Sequence, residues 1–249
     1  MNIFVCIKSV PVSDAIIKIT PDCQHIERTN LKYDLNPYDE YAIEAAVQLK
    51  EQFGGNVLAI SLTDEIASVS LRRVLAMGAD KLIQLMLPAV GLNDSQAVAQ
   101  LLAQEIRQNP FDLILLGKQA IDTGSEAVGP LIARLLDLPF ITAVTNLSVQ
   151  EQTVIATKEF DGYQAVYEGP LPVVITTEKG LNKPRYPSLK DIMLAKKKEI
   201  ISKNVALPQE TCQIIHLQPP PTRPAGRILG EGPAAVPELV RILKEAGTI

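Results

Sequence analysis

The sequence predicts an α/β fold with a parallel-sheet core, an antiparallel β extension and a C-terminal arm. Apolar segments of strand length alternate with segments of helical periodicity up to about residue 140. These early strands are apolar throughout, which indicates burial on both faces of a parallel sheet. After about residue 140, short β-rich segments follow one another with turn residues between them, which favours antiparallel pairing.

Four strands and four helices are predicted in alternation over the first half. The strands are expected at Asn2–Lys8, Asn56–Leu62, Lys81–Leu85 and Leu113–Gly117. The helices are expected at Asp39–Phe53, Glu65–Met77, Asp94–Gln108 and Glu126–Leu136. Asn36 and Pro37 form the start signal of the first helix, as its cap and its first helical position, and Gly78 closes the second helix.

The second half predicts a β extension and then an arm. Its strands are expected at Thr145–Glu151, Thr153–Phe160, Tyr163–Tyr167 and Leu171–Thr176, with Asp161-Gly162 as a hairpin turn. Pro219–Pro224 reads as a stiff extended segment and Pro237–Glu245 as a terminal amphipathic helix. We expect residues 1–218 to form one α/β domain. Residues 219–249 are expected to pack on a partner subunit, or alternatively back on their own domain.

Composition excludes several classes of function. The net charge of −4 and the few aromatic residues argue against a nucleic-acid-binding protein. Three scattered cysteines predict reduced thiols, and two histidines form no metal-site spacing with them. No apolar run approaches the ~20 residues of a membrane span, and no leader precedes the first strand. We therefore expect a cytoplasmic protein with no metal and no membrane insertion.

The segment Leu181–Ile200 predicts a surface presented to a partner. Its prolines stiffen a loop that leads to a short helix, which Ser188 can cap. Leu189, Ile192 and Met193 then share one face, and a lysine run follows in the last turn. Such an apolar face suits an adaptable contact surface. The alternative is an ordinary surface helix whose apolar face lies in the core.

The strand ending at Gly117 leads into a loop with the spacing of an anion site. Small residues and hydroxyls follow, and Gly124, Ser125 and Glu126 are expected to open the next helix. Free amides and a helix dipole would then point outward together. The loop is neither a Walker A sequence nor a GxGxxG fingerprint. The alternative is that Gly124 serves only the turn.

Several long motifs together resemble the electron transfer flavoprotein beta subunit family. They occur in the family's order over nearly the whole chain: VCIKSVP, LNPYDEYAIEAAVQLK, LAMGAD, LLGKQAID, EGPLPVVIT, and LNKPRYPSL followed by IMLAKKK. The resemblance implies an adenine-nucleotide α-hydrolase-like (Rossmann-like) core. It also implies a structural AMP, with an alpha subunit that holds most of a redox FAD.

The resemblance assigns a nucleotide pocket by position. The matching residues are Cys6, Lys8, Asn36, Pro37, Tyr38, Asp39, Leu62, Gly117, Lys118, Gln119, Ala120, Ile121, Asp122, Thr123, Gly124, Ser125, Glu126, Ala127 and Val128. The loop lacks the acidic pair and the Asn of many AMP-binding members. Its VGP ending looks like members that hold a second FAD and bifurcate electrons, whereas LAKKK looks like members that do not. We favour AMP.

The resemblance also assigns partner contacts. Tyr38 is the expected aromatic contact of the flavin, and Glu159 matches an acidic residue that pairs with an arginine of the alpha subunit. The docking residues for flavin dehydrogenases are Tyr186, Leu189, Ile192, Met193, Lys196, Lys197 and Lys198. The downstream acceptor would be a quinone oxidoreductase. No residue is expected to act as a catalytic nucleophile or base, because the flavin carries the chemistry.

Two other classes fit parts of the chain. A stand-alone adenine-nucleotide sensor of the universal-stress-protein type would explain the loop after Gly117, but neither LNKPRYPSL nor the proline-rich tail. An adenylating or nucleotide-hydrolysing enzyme would need an SGGxDS-type motif, which the sequence lacks.

Overall fold

One large sheet is built from strands that are apolar on both faces. The computed structural model describes residues 1–87, 94–209, 211–212, 214–222 and 225–249. The strands are β1 (Asn2–Cys6), β2 (Ser9–Pro11), β3 (Tyr33–Leu35), β4 (Asn56–Thr63), β5 (Lys81–Met86), β6 (Leu113–Gly117), β7 (Phe140–Gln150), β8 (Thr153–Phe160), β9 (Tyr163–Pro170), β10 (Val173–Thr177) and β11 (Ile200–Asn204). The sheet order is β11-β5-β4-β1-β6-β10-β7-β8-β9, and β2 pairs with β3 separately.

Helices cover both faces of this sheet. They are α1 (Pro37–Phe53), α2 (Glu65–Met77), α3 (Ser95–Ile106), α4 (Val128–Leu136), α5 (Leu189–Ala195) and α6 (Val236–Glu245). Ile3 and Val5 of β1 join one core cluster with α1 and α2, whereas Phe4 and Cys6 join a second cluster with α3 and α4. This alternation explains why β1 is apolar at every position.

The predicted fold class is confirmed, including its antiparallel extension. In the order of the sheet, every neighbouring pair from β11 to β7 is parallel, and the pairs β7–β8 and β8–β9 are antiparallel. The bounds of α2, β6 and β8 are as predicted, and α1 begins at Pro37. The strand expected from Thr145 begins at Phe140, because its first residues pair with β10.

Helix α4 and strand β10 begin later than predicted. Helix α4 begins at Val128, because Glu126 has a left-handed backbone with φ of 52° that a right-handed helix cannot contain. Strand β10 begins at Val173, since Leu171 and Pro172 lie in the turn before it. The lysine run also lies beyond the helix, because α5 ends at Ala195.

Strand β11 and the β2–β3 hairpin were not predicted from the sequence. Strand β11 is the edge of the large sheet, so its apolar signal is short, and two of its five residues are exposed. The arm contains α6, which has no buried residue. Of the predicted Pro219–Pro224 segment, residues 219–222 have no regular secondary structure, and residues 223 and 224 lie outside the described residues. No helix in the described ranges is both long and apolar enough to cross a membrane.

Candidate functional site

The strand order creates a crevice at the carboxyl ends of β1 and β6. From β1 the chain moves to β4 and β5 on one side, then returns to β6 on the other side. Open α/β sheets bind ligands where the strand order reverses in this way. Cys6 ends β1 and Gly117 ends β6, so the predicted nucleotide residues Lys8 and Gly117–Val128 follow the two strands at this crevice.

Asp39 joins the two sides of the crevice. One carboxylate oxygen accepts from the Lys8 amide at 2.7 Å, and the other accepts from the Gly117 amide at 3.0 Å. The side chain is buried and also accepts from the Asn36 amide group at 3.0 Å. Its oxygens are thus occupied within the chain, so Asp39 shapes the crevice and does not present a free carboxylate to a ligand. We call Asn36 and Asp39 the crevice brace.

Burial controls the titration of this region. It raises the pKa of Asp39 to about 7, against the lowering effect of hydrogen bonds from Asn36 and from the Lys8 and Gly117 amides. Burial also raises the pKa of the Cys6 thiol strongly, and the Asp39 charge adds to that effect. Cys6 is therefore a protonated, buried side chain of the crevice floor at neutral pH.

Asn36 holds the loop after β6 rather than capping α1. It occupies the N-cap position, but its side chain makes no capping hydrogen bond. Instead, its Nδ2 donates to the Gln119 carbonyl at 2.9 Å, and its Oδ1 accepts from the Ile121 amide at 3.1 Å. The capping interpretation of Asn36 is wrong, because the side chain is committed to the loop 83 and 85 residues away.

Gly117 is required by close packing at the crevice. A Cβ atom there would lie 2.5 Å from Asp39 Oδ1 and 2.6 Å from Tyr38 Cβ. Such distances are below any van der Waals contact, so the start of α1 could not approach the end of β6 with another residue at this position. Thr177, which the sequence analysis did not single out, adds to this junction by donating to the Tyr38 carbonyl at 3.1 Å.

The loop from Lys118 to Ala127 exposes backbone donors. A turn is closed by the Thr123 and Gly124 amides, which donate to the Ala120 carbonyl at 3.3 and 2.8 Å. In the described part of the chain, the amides of Ser125, Glu126 and Ala127 have no acceptor, and no side chain caps α4. The free donors therefore begin one residue later than the predicted Gly124.

Two lysines near these amides are each paired with a carboxylate of the chain. Lys8 Nζ lies 2.8 Å from Asp122 of the loop, and Lys118 Nζ lies 2.5 Å from Glu178. Lys118 also stands over the Tyr38 ring at 5.3 Å from its centroid. Glu178 was missed by the sequence analysis, because it follows the distant strand β10 and belongs to no local motif.

Ser95 and Leu62 lie on the α3 side of the crevice. Ser95 at the start of α3 lies 3.2 Å from Ser125, oxygen to oxygen. Leu62, near the end of β4, is partly buried against the core cluster beneath α3 and α4. Pro37 stands at the start of α1, so the predicted pocket residues gather around one edge of the sheet.

Helix α5 presents its apolar face to solvent. Ser188 and Asp191 form a reciprocal capping box, as the predicted cap requires. Leu189 is 83% exposed and Met193 68% exposed, and Ile192 and Tyr186 are also exposed. The alternative of a core-facing stripe is therefore wrong. Only Ala195 is buried within α5.

The three lysines after α5 differ. Lys196 and Lys197 are exposed. Lys198 is half-buried, and its Nζ donates to the carbonyls of Leu75 and Ala79 at 2.9 and 2.6 Å. Burial lowers the pKa of Lys198. Lys198 thus closes the carboxyl end of α2, so its ammonium is not a free docking charge.

Glu159 is an exposed carboxylate on β8. Gln164 donates to it at 3.4 Å across the hairpin. The neighbouring Lys158 instead donates to Thr142 at 3.0 Å and stands over the Phe160 ring. Glu159 is therefore not paired with Lys158, and its carboxylate faces outward at the end of the antiparallel extension.

Known proteins are similar to this chain over its full length. Residues 24–208 match the electron transfer flavoprotein domain. The chain is 37% identical to the electron transfer flavoprotein subunit beta of Bacillus subtilis and 38% identical to that of Bradyrhizobium diazoefficiens, over all of both chains. It is 33% identical to the subunit beta of Bos taurus, over 100% of this chain and 99% of the relative. With this likeness added to the α/β fold, the chain belongs to the electron transfer flavoprotein beta subunit family.

Proposed function

We propose that this chain forms a cytoplasmic heterodimer with an electron transfer flavoprotein alpha subunit and carries electrons from flavin dehydrogenases to a quinone oxidoreductase. Acyl-CoA dehydrogenases are the expected electron donors, which would place the chain in fatty acid oxidation. The observation that carries the proposal is the solvent-facing apolar surface of α5. The exposed side chains of Leu189 and Met193 add no hydrophobic stabilisation to the isolated chain, whereas a surface that docks a partner requires exposed apolar side chains.

The crevice fits AMP by the chemistry of its donors. The free amides of Ser125, Glu126 and Ala127 and the uncapped start of α4 suit a phosphate. Lys8 and Lys118 are paired with Asp122 and Glu178 in this chain and would turn to a bound phosphate. The crevice brace holds the loop that carries these donors, so Asn36 and Asp39 position the site without contributing free side-chain atoms.

The redox chemistry belongs to an FAD held mainly by the alpha subunit, which would accept electrons from one protein and deliver them to another. This chain would contribute the Tyr38 ring as a wall, with Lys118 over the ring and the Thr177 hydroxyl bonded to the Tyr38 backbone carbonyl. The exposed Glu159 would pair with an arginine of the alpha subunit. The chain itself would act as a carrier subunit and not as an enzyme.

The arm is proposed to pack on the alpha subunit. Helix α6 exposes Val236 and Leu239 and has no buried residue within this chain. A partner surface that covers this apolar stripe would stabilise it.

Co-expression with the alpha subunit tests the assignment. We expect a stable heterodimer that contains one FAD and one AMP, measured by size-exclusion chromatography and mass spectrometry of the extracted ligands. A chain that binds no flavin-binding subunit at micromolar concentration would contradict the central assignment. Two FAD and no AMP per heterodimer would instead support the electron-bifurcating alternative that the VGP sequence at Val128 favours. A monomer that holds only an adenine nucleotide would support the sensor alternative.

A further inference from the structure

Helix α5, which we call the docking helix, is attached to two different helices of the body. Its carboxyl end lies on α2, where Arg72 donates to the Ala195 carbonyl at 3.3 Å and Lys198 binds the carboxyl end of α2. Its amino end follows residues 178–188, which form no helix or strand. The position of Leu189 therefore depends on the geometry of that irregular segment as well as on the packing of α5 against α2.

Arg185 ties this segment to α1. Its Nε and Nη2 donate to the two oxygens of Glu44 at 2.8 and 3.0 Å, and its backbone amide donates to Glu44 at 3.1 Å. The same guanidinium reaches Glu51, one heptad later on α1, at 2.7 and 3.2 Å. Asn182 adds a hydrogen bond to the Tyr41 carbonyl at 2.9 Å. We call Arg185, Glu44 and Glu51 the α1 clamp.

The α1 clamp should stay closed because the side chain of one of its two carboxylates, Glu44, is buried. The side chain of Glu44 is only 4% exposed. Burial alone would raise the pKa of Glu44, but the hydrogen bonds from Arg185, together with one from Gln48, outweigh it and lower the pKa. A buried carboxylate that loses its arginine is left with an uncompensated charge, so the clamp resists opening. The planar fork also fixes direction, which a lysine could not do.

We propose that Arg185 is a positioning residue that sets the orientation of the docking helix through Glu44 and Glu51. Arg185 stands three residues before the capping Ser188, and Pro184 and Pro187, which flank Arg185 and Tyr186, stiffen the connection. The fixed guanidinium therefore places the amino end of α5, and with it Leu189, relative to α1. This inference rests on the proposed docking function.

The test separates positioning from general stability. Arg185→Ala is compared with Lys203→Ala in the complete heterodimer. Lys203 Nζ lies 2.6 Å from Glu105, whose side chain is 7% exposed, so removing this lysine also strands a buried carboxylate but leaves the docking segment untouched. The KM and kcat for the heterodimer are measured with an acyl-CoA dehydrogenase and its acyl-CoA, together with the melting temperature.

We expect both variants to melt earlier. Only Arg185→Ala should raise the KM, by about fivefold or more, with kcat nearly unchanged, because the flavin chemistry is intact and only docking is impaired. Arg185→Lys should raise the KM less than Arg185→Ala does, since lysine keeps the charge but not the planar fork of the guanidinium. If Arg185→Ala fails to fold, Glu51→Gln serves, because Glu51 is 58% exposed and its loss strands no buried charge.

Leu189→Ala distinguishes the possible failures. If Leu189→Ala raises the KM and no variant of the α1 clamp does, the positioning role of Arg185 is overturned and the docking proposal stands. If neither Leu189→Ala nor the clamp variants raise the KM, both proposals are overturned.

Discussion

The nucleotide crevice and the docking helix are built on opposite physical principles. The crevice is part of the core: buried Asn36 and Asp39 satisfy backbone groups of β6 and its loop, and Gly117 allows close packing. The docking helix instead keeps its apolar face outside the core and is attached at its two ends. Changes at the crevice should therefore cost folding stability, whereas changes on the docking face should cost only partner contact.

The largest effect is expected at Gly117. Gly117→Ala would place a methyl group 2.5 Å from buried Asp39 Oδ1, so it should break the crevice brace and lower the free energy of unfolding by about 3 kcal/mol or more. Urea unfolding measures this loss. Gly124→Ala is the control, because its methyl group meets nothing within 4 Å and only its φ of 61° is unfavourable, at a cost of about 1 kcal/mol. Equal losses would show that the crevice is not closely packed.

Next is the effect of Gly124→Val on nucleotide content. The side chain would stand beside the free amides from Ser125 onward, so AMP content of the purified heterodimer should fall to a minor fraction. Gly162→Val provides matched backbone strain, since Gly162 has φ of 86° and equally open surroundings in the β8–β9 turn. Full AMP content in both variants would place the phosphate elsewhere.

The two regions should respond to pH in opposite directions. The pKa of Asp39 is raised to about 7 from an ordinary value of 3.8, so its contribution to stability is full below about pH 4 and is lost as pH rises through 7. The pKa of Glu44 is lowered from 4.5, so its contribution is full above that pH and is lost as pH falls through the lowered value. Unfolding free energies measured from pH 3 to 8 test both slopes.

Two substitutions assign these slopes to their residues. Asp39→Asn should flatten the dependence between about pH 4 and 7, and Glu44→Gln should flatten the acid limb without affecting the neutral one. A neutral slope that survives in Asp39→Asn would belong to another group.

The smallest effects concern the lysines. Replacing Lys196 and Lys197 by Gln should slow association with the dehydrogenase by roughly threefold at low salt and should reduce its salt dependence. The melting temperature should not change, because both side chains are exposed. Lys198→Gln should do the reverse and lower stability by about 1 kcal/mol, since Lys198 holds the carboxyl end of α2. Identical behaviour of the three lysines in stopped-flow and melting experiments would contradict this division.

The sequence predicts those strands and helix ends that are determined by residues close together in the chain. Doubly buried strands such as β1 and β6 have an unambiguous apolar pattern, and Gly78 and Ser188 mark helix ends by their own conformations and side chains. Edge strand β11 gives a weak signal because none of its five residues is buried and two are exposed. The sequence predicts the start of α4 two residues too early, because the left-handed backbone of Glu126 has no sequence signature.

Long-range pairing explains what the sequence analysis missed at the two sites. Arg185 and Glu44 are 141 residues apart, so nothing near either residue announces their contact. The one available signal was the spacing of Glu44 and Glu51 on the same face of α1, which marks an acidic stripe without naming its partner. The local sequence predicts Asn36 as a side-chain cap for the same reason, since its partners Gln119 and Ile121 follow a distant strand.

A single variant, Leu189→Ala, tests the separation of the two regions most directly. Its melting temperature, flavin content and dehydrogenase-dependent flavin reduction are measured together, with Ile16→Ala as the control, because Ile16 is similarly exposed at 81%. Burying a leucine on a partner is worth about 1.5–3 kcal/mol, so we predict a roughly ten- to hundredfold loss of coupling. Stability and flavin content should stay at the wild-type level. A large fall in melting temperature, or unchanged electron transfer, would contradict the account.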